Sequence, residues 1–218
     1  MNLIDSLIKE GWLKNPRIIE AFRQIKRVDF LPEDSKDLAE LNEALPIGYG
    51  QTISQPLVVA FMLELLDPQP GEKILDIGSG SGWTTALLAH IVSGGLNSKF
   101  KMQNAKLKGK VIAIDIISEL VEFGKKNVAK YNFIEKGIVE FICADGSKGY
   151  KKESPYDKIL ASASARKLPQ AWKEQLKVGG RIVTPIGTSI WFFAKKSEND
   201  FEEIEYPGFV FVPLISKQ

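Results

Sequence analysis

A run of alternating glycines directly after a short apolar segment is the feature that most constrains the fold of this chain. The apolar segment is 74–77 (Ile-Leu-Asp-Ile), the glycines are Gly78, Gly80 and Gly82, and a helical pattern follows over 83–92. This order predicts a strand, a tight turn and a helix, because glycine lets the backbone turn sharply and lets a ligand approach closely. In an open α/β sheet such a turn lies at the carboxyl end of a strand, where nucleotide-like ligands bind.

The spacing of the glycines narrows the choice of ligand. The pattern is Gly-x-Gly-x-Gly, which differs from the dinucleotide fingerprint, and the Gly-Lys-Ser/Thr ending of a phosphate loop is missing. Asp76, just before the first glycine, would repel a pyrophosphate but can accept hydrogen bonds from a cationic amino group. This favours S-adenosylmethionine, which carries an ammonium and a sulfonium. A structural glycine turn in some other α/β domain is the alternative.

Strands alternate with helices from Glu72 onward, which is typical of a parallel sheet. The predicted strands span 74–77, 110–115, 139–143, 157–161 and 181–184, and the predicted helices span 83–92, 118–132 and 170–176. Three tail segments, 190–195, 201–206 and 209–214, alternate in polarity and are predicted as antiparallel strands that close the sheet. We therefore expect an α/β fold with a doubly wound, mostly parallel, Rossmann-like sheet and right-handed crossovers that stack helices on both faces.

The N-terminal third is predicted to be helical, with Asn15-Pro16 as a helix start. The acidic segment 32–45 is predicted as a loop, and a helix is predicted over 57–66 with Ser54 placed to cap it. A segment rich in lysine, 94–110, is predicted as a surface loop that is longer than such connections usually are. It contains Lys99, Lys101, Lys106, Lys108 and Lys110.

Composition sets outer limits on the kind of protein. The chain has 218 residues, 44% hydrophobic and 26% charged, which suits one globular domain with a buried core. A net charge of +2 is too small to indicate nucleic-acid binding by itself. The single cysteine, Cys143, excludes an intramolecular disulfide, and its apolar surroundings predict a core position. No apolar stretch reaches about 18 residues and no signal-peptide core is present, so we expect a cytoplasmic protein that binds no membrane.

Carboxylates follow three of the predicted strands. They are Asp76, Asp115 and Asp145, and in a parallel sheet the strand ends line one edge of a crevice. Asp115 is placed to accept hydrogen bonds from the two hydroxyls of a ribose, and Asp145 with Gly146 suits the exocyclic amino group of adenine. Any one of these residues alone could be a turn former or a helix cap. Together, and after the glycine turn, they favour a methyltransferase.

The residues that are missing bear on the methyl acceptor. The only histidine, His90, lies inside a predicted helix among apolar residues and is predicted to be structural. No cysteine pair indicates a metal or thiol route, no metal site is expected, and no Asn-Pro-Pro-Tyr-like element suits an amine acceptor. Because the sulfonium methyl is already activated, alignment of the nucleophile is the main task. An acceptor that is already a carboxylate anion would need no base.

Several blocks of the sequence resemble the protein-L-isoaspartate (D-aspartate) O-methyltransferases. The segment 45–56 (Leu-Pro-Ile-Gly-Tyr-Gly-Gln-Thr-Ile-Ser-Gln-Pro) is similar to the signature loop of that family, and 74–82 is similar to its cofactor motif. Asp145-Gly146 and the segments 155–159, 175–187 and 211–214 follow in family order, as does 27–32 near the start. The resemblance covers nearly the whole chain. It implies a single methyltransferase domain over 1–218, with N-terminal helices and a substrate and cofactor loop in 1–56 and the cofactor-binding core in 57–218.

The resemblance also implies an activity. A methyl group from S-adenosylmethionine would go to the free carboxylate of an isoaspartyl, and possibly a D-aspartyl, residue in a damaged protein, and repair would proceed through a succinimide. Ser54 would orient the substrate carboxylate, with Thr52 and Gln51 in the same loop. The residues implied to bind the cofactor are Ile47, Gly48, Tyr49, Gly50, Asp76, Gly78, Ser79, Gly80, Ser81, Gly82, Asp115, Asp145 and Gly146. We expect S-adenosylhomocysteine as the product, damaged proteins as partners, no nucleic-acid partner and a monomer.

The sequence departs from the family pattern after the fourth core strand. Arg166 and Lys167 stand where small or apolar residues are usual, which makes the expected substrate rim more basic and leads to the hypothesis that acidic peptides are favoured. Two alternatives remain open at this stage. One is a methyltransferase acting on RNA or a small molecule, and the other is a binding module that keeps the pocket without catalysis.

Overall fold

The computed structural model describes residues 2–95 and 109–216, and a seven-stranded sheet forms its centre. The strands of this sheet are β3 (Lys73–Ile77), β4 (Lys110–Asp115), β5 (Val139–Cys143), β6 (Tyr156–Ala161), β7 (Leu176–Ile186), β8 (Ser189–Lys195) and β9 (Phe201–Pro207). A separate two-stranded hairpin consists of β1 (Leu45–Gly48) and β2 (Gln51–Ile53).

The order of strands across the large sheet is β5-β4-β3-β6-β7-β8-β9. The pairs from β5 to β7 are parallel, and β8 and β9 add to β7 as antiparallel strands. This is the doubly wound, mostly parallel sheet that the sequence predicts. Because β4 and β6 lie on opposite sides of β3, the winding reverses at β3, and a crevice opens at the carboxyl ends of these strands.

Helices flank the sheet on both faces. They are α1 (Leu3–Lys9), α2 (Pro16–Gln24), α3 (Pro56–Leu66), α4 (Trp83–Val92), α5 (Ser118–Ala129) and α6 (Gln170–Gln175). Short 3-10 turns span Arg27–Phe30, Glu33–Leu38, Gly146–Lys148 and Lys151–Glu153. None of the helices in the described part of the chain is long and apolar enough to cross a bilayer.

The alternation of side chains along the strands divides the core into two buried clusters. One face of the sheet contributes residues such as Ile74 and Val111, and these pack with side chains from α1 to α5. The other face contributes Leu75 and Ile112, which pack against Trp172 of α6. Since the N-terminal helices share their cluster with the sheet, they are packed as part of the same core.

Several local predictions were wrong. The segment 32–45 contains a 3-10 turn over Glu33–Leu38 rather than a plain loop. Ser54 does not cap α3, because Gln55 occupies the cap position and the backbone N–H of Leu57 donates to Asn42 Oδ1 at 2.9 Å. A side chain that is distant in sequence thus satisfies a helix N–H that a local residue was expected to take.

The tail and the single cysteine also differ from expectation. Residues 209–214 form no strand, since they pair only through an isolated bridge at Ser164, whose N–H donates to Val212 O at 2.8 Å. Pro213 has no N–H to continue a ladder. Cys143 is exposed rather than in the core, because it ends β5, the edge strand of the sheet.

The lysine-rich segment lies mostly outside the described residues, and so do the expectations for Lys99, Lys101, Lys106 and Lys108. Lys110 is described, and it begins β4. Its Nζ lies 2.8 Å from Glu140 and 3.2 Å from Glu153. This lysine therefore belongs to a local charge cluster at the amino ends of the strands.

Candidate active site

A cavity of about 340 Å³ opens at the carboxyl edge of the sheet, beside the winding reversal at β3. Five parts of the chain supply most of its walls. They are the glycine turn (77–81), the end of β4 and the residues after it (114–117), the segment 51–55, residues 162–163, and the tail (210–215). The size lies in the range of small-molecule and cofactor sites.

The glycine turn contains three positions whose backbone conformation favours glycine. Gly78, Gly80 and Gly82 all have positive φ, at 75°, 50° and 83°. A Cβ on Gly82 would lie 2.9 Å from the carbonyl oxygen of Gly124 in α5, and a Cβ on Gly80 would lie 3.3 Å from Ile47 Cδ1. The turn is therefore packed closely from two sides, and its remaining side faces the cavity.

Asp115 connects the glycine turn to the end of β4. Its Oδ2 accepts from the N–H of Gly80 at 2.9 Å, and its Oδ1 accepts from the N–H of Ile117 at 3.0 Å. Each carboxylate oxygen has a second lone pair, so the group can still accept hydrogen bonds from a ligand. Because Asp115 also lines the cavity, it fits the predicted role of holding two vicinal hydroxyls.

Asp76 lies beneath the turn and not on the cavity wall. It is completely buried, and its Oδ2 accepts from Thr85 Oγ1 at 2.6 Å, whereas Oδ1 has no partner among the described residues. The pKa of this carboxyl is raised to about 7, mainly by burial and in small part by the charge of Asp115, against the hydrogen bond from Thr85, which lowers it. The structure therefore gives Asp76 no open path to a cofactor ammonium group.

Asp145 is turned toward its own backbone. Its Oδ1 accepts from the N–H of Ser147 at 3.0 Å and from its Oγ at 2.6 Å, so Asp145 caps the short turn that follows β5. Gly146 does line the cavity. A Cβ there would lie 2.5 Å from Ile77 Cγ2, and its carbonyl accepts from Trp172 Nε1 at 2.8 Å, so the backbone of Gly146 is fixed.

The signature loop is divided by the hairpin. Thr52 and Ser54 line the cavity together with Gln51. Gly48 ends β1, and Tyr49 and Gly50 form the turn of the hairpin, where Tyr49 is 59% exposed with φ of 56°. Ile47 is buried against the glycine turn.

The described structure thus brings about half of the predicted site residues to the lining of one cavity. Those that line it are Thr52, Ser54, Gly78, Ser79, Gly80, Ser81, Asp115 and Gly146, and those that do not are Ile47, Gly48, Tyr49, Gly50, Asp76, Gly82 and Asp145.

Sequence reasoning missed most of the apolar wall. Ile116, Ile117 and Leu120 lie next to Asp115 and give the cavity an apolar surface that suits a flat base. The signal was present in sequence, since two isoleucines directly follow the strand-end carboxylate. Residues 210–215 also line the cavity, whereas the sequence predicted 209–214 as a sheet strand and not as part of the site.

Groups for other chemistries are absent from this region. The residues that the structure describes contain no cluster of three or more side chains that could hold a metal ion. His90 is buried in α4 with its Nε2 3.8 Å from Glu20 Oε1, and it does not line the cavity. What the cavity offers is oriented hydrogen-bonding groups, an apolar wall and a close-packed glycine turn.

Comparison with known proteins gives one consistent result. The family model described as protein-L-isoaspartate (D-aspartate) O-methyltransferase matches residues 1–218. The protein-L-isoaspartate O-methyltransferase of Methanopyrus kandleri is 38% identical over 220 residues, which cover 99% of this chain and 91% of that protein. The protein of the same description from Aeropyrum pernix is 39% identical over 221 residues, covering 100% of this chain and 79% of that one.

Among solved structures, a protein-L-isoaspartate O-methyltransferase from Plasmodium falciparum, crystallised in complex with S-adenosyl-L-homocysteine, is similar over 100% of both chains with a TM-score of 0.82. At 22% identity this likeness establishes the fold.

Proposed function

The chain belongs to the protein-L-isoaspartate (D-aspartate) O-methyltransferase family, and we propose that it methylates the free carboxylate of isoaspartyl residues in damaged proteins. The observation that carries the proposal is that Ser54 and Thr52 of the signature loop line the same cavity of about 340 Å³ as the glycine turn and Asp115. A carboxylate held by the loop would therefore meet a nucleoside-bearing methyl donor within one enclosure.

The residues present fit S-adenosylmethionine. Asp115 has lone pairs left for the ribose hydroxyls, and Ile116, Ile117 and Leu120 offer an apolar wall for the adenine. The glycine turn has no side chain at Gly78 and Gly80, so its backbone can lie close to the ligand. A side chain at Gly80 would also crowd Ile47. When bound, the cofactor supplies an electrophilic methyl group and leaves as S-adenosylhomocysteine.

The chemistry then requires little from the protein beyond placement. The acceptor is already an anion, so no general base is needed, and the one histidine lies outside the cavity. Ser54 donates a hydrogen bond that orients the carboxylate, Thr52 supports it from the same loop, and the cavity walls limit the access of water. The amide nitrogen of the following residue then attacks the ester formed on the damaged protein and expels methanol, which gives a succinimide without further help. Hydrolysis of the succinimide returns part of it as normal aspartate.

The first test is methyl transfer from radiolabelled S-adenosylmethionine to an isoaspartyl peptide and to its normal aspartyl twin. Base-labile label on the isoaspartyl peptide alone is the expected result. Ser54→Ala should then lower kcat/KM by about 10- to 100-fold, which corresponds to the loss of a hydrogen bond to a charged group. Ser6→Ala, on the surface of α1, is the matched control and should keep full activity.

Two other results would redirect the assignment. Label on RNA or on a small molecule, with neither peptide labelled, would move the enzyme to another acceptor. Binding of S-adenosylhomocysteine without transfer to any acceptor would favour a binding module. No feature of the described cavity favours either alternative over the carboxylate acceptor.

The remaining expectations belong to the same proposal. We propose a monomer in the cytoplasm that forms one methyltransferase domain over 1–218, with helices and the substrate loop in 1–56 and the cofactor core in 57–218. Support comes from the shared core cluster that joins Leu7 and Ile18 to Leu87, and from a cavity that one chain encloses. Light scattering tests the monomer, a single unfolding transition tests the domain, and cell fractionation tests the location.

A further inference from the structure

One buried guanidinium lies directly behind the signature loop. Arg27 begins the 3-10 turn after α2 and is only 6% exposed. Its Nη1 donates to the carbonyl oxygens of Ala39 at 3.1 Å and Leu41 at 2.8 Å. Its Nη2 donates to the carbonyl oxygens of Glu43 at 2.6 Å and Ser54 at 3.4 Å.

These contacts hold together two parts of the chain that have no ladder between them. Residues 39–43, here called the clasp, have no regular secondary structure, and their alternate carbonyls point at one side chain. A guanidinium can satisfy several carbonyls at once because its N–H groups are fixed in a planar fork. Burial lowers the pKa of Arg27 to about 10, against the influence of Glu40, so the group is still charged near neutral pH.

The clasp also forms hydrogen bonds with the residues that follow Ser54. Asn42 O accepts from Gln55 Nε2 at 2.8 Å, and Asn42 Oδ1 accepts from the N–H of Leu57 at 2.9 Å. Arg27 therefore holds the carbonyl of Ser54 itself, and Asn42 holds the residues that directly follow it.

Arg27 also contacts the part of the cavity lining that the glycine turn and the start of α4 form, here called the cofactor wall. Its Cζ lies 5.5 Å from the centroid of the Trp83 ring. Trp83 is the first residue of α4, directly after the glycine turn, and it lines the cavity. The Arg27 side chain thus contacts both the loop that carries Ser54 and the first residue of α4, which belongs to the cofactor wall.

We propose that Arg27 is a positioning residue that sets the place of Ser54 relative to the cofactor wall. The inference rests on the proposed function for its effect on turnover, although the contacts themselves do not depend on it. Loss of the guanidinium removes the hydrogen bonds that join the clasp to Ser54, so the loop that carries Ser54 can move. A displacement near 1 Å is enough to lower a rate on the order of 100-fold, because alignment is most of what methyl transfer requires.

The test compares Arg27→Met and Arg27→Lys with the unmodified enzyme, and Arg23→Met is the matched control. Arg23 is an exposed arginine of α2 whose partner is Asp5, at 3.7 Å. We expect kcat for the isoaspartyl peptide to fall on the order of 100-fold in Arg27→Met. Arg27→Lys should recover about tenfold of this, since an ammonium can serve some of the carbonyls but cannot span them as a fork.

The affinity for S-adenosylhomocysteine separates positioning from general damage. It should stay within about threefold in both variants, because Asp115 and the glycine turn are held by hydrogen bonds that do not involve Arg27. Affinity that falls as far as turnover would overturn the proposal, and so would full activity in both variants.

A second readout holds whatever the acceptor proves to be. Amide hydrogen exchange over 39–57 should be about tenfold faster in Arg27→Lys with S-adenosylhomocysteine bound, while exchange in β3 and β4 stays unchanged. Unchanged exchange over 39–57 would overturn the proposal even if the enzyme methylated no peptide. If Arg27→Met does not fold, the lysine variant alone decides the result.

Discussion

The buried carboxyl of Asp76 should make stability depend on pH in a direction opposite to the usual carboxylate. Its pKa rises from 3.8 to about 7 in the folded protein, mainly through burial. Between these values the folded state keeps the proton that the unfolded state has already released. The free energy of unfolding therefore falls as pH rises through this window, and it is flat above the folded pKa.

The size follows from the same two values. Each pH unit is worth about 1.36 kcal/mol, so the component amounts to about 4 kcal/mol over the whole window and to about 2 kcal/mol between pH 5 and 7, because the folded group itself is half ionised near pH 7. Asp76→Asn removes it, because an amide does not titrate. The amide oxygen can still accept the hydrogen bond from Thr85, which is 2.6 Å long in the unmodified protein.

Urea unfolding of both proteins at pH 5, 6, 7 and 8 measures the effect. The stability of Asp76→Asn relative to the unmodified protein should increase by about 2 kcal/mol from pH 5 to 7 and then level off. Thr85→Val is the companion variant: it removes a donor that favours the ionised form, so the levelling should move to higher pH. Two curves that stay parallel from pH 5 to 8 would refute the reasoning.

Three further predictions follow from other parts of the site. Gly82→Ala should lower the free energy of unfolding by about 2–4 kcal/mol in urea titrations, from a left-handed backbone plus a clash with α5, whereas Gly208→Ala, with φ of 99° and open space, should show only the backbone component. Asp115→Asn should weaken S-adenosylhomocysteine binding by about 10- to 100-fold in calorimetry, and unchanged affinity would remove it from the ribose site. Replacing Arg166 and Lys167 with Gln should raise KM for acidic isoaspartyl peptides selectively; an equal loss with neutral peptides would rule out the basic rim.

The sequence predicts those parts of the fold whose signals are local. The strands β3 to β6 are short, mostly apolar segments bounded by turn residues, and the glycine turn demands a conformation that few residues adopt. The position of Asp115 could also be predicted, because the carboxyl ends of parallel strands all lie at the same edge of the sheet. These elements were predicted nearly to their observed bounds.

The remainder depends on contacts between distant parts of the chain. The clasp has no periodic pattern, since what organises it is the side chain of Arg27 and not its own residues. Asp76 and Asp145 have the expected residue types, but one carboxylate oxygen of each accepts a hydrogen bond from a neighbouring side chain, Thr85 or Ser147, and neither residue lines the cavity. The exposure of Cys143 could be deduced only once β5 was known to be an edge strand.

The wall formed by residues 210–215 is the last part of the cavity to be synthesised. The other walls all precede it in the chain, and its anchor is a pair of backbone hydrogen bonds to Ser164, from the N–H of Leu214 and to the carbonyl of Val212, each 2.8 Å long. During synthesis these residues leave the ribosome after every other cavity element. The enclosure is therefore complete only after residues 210–215 have been made and have docked at Ser164.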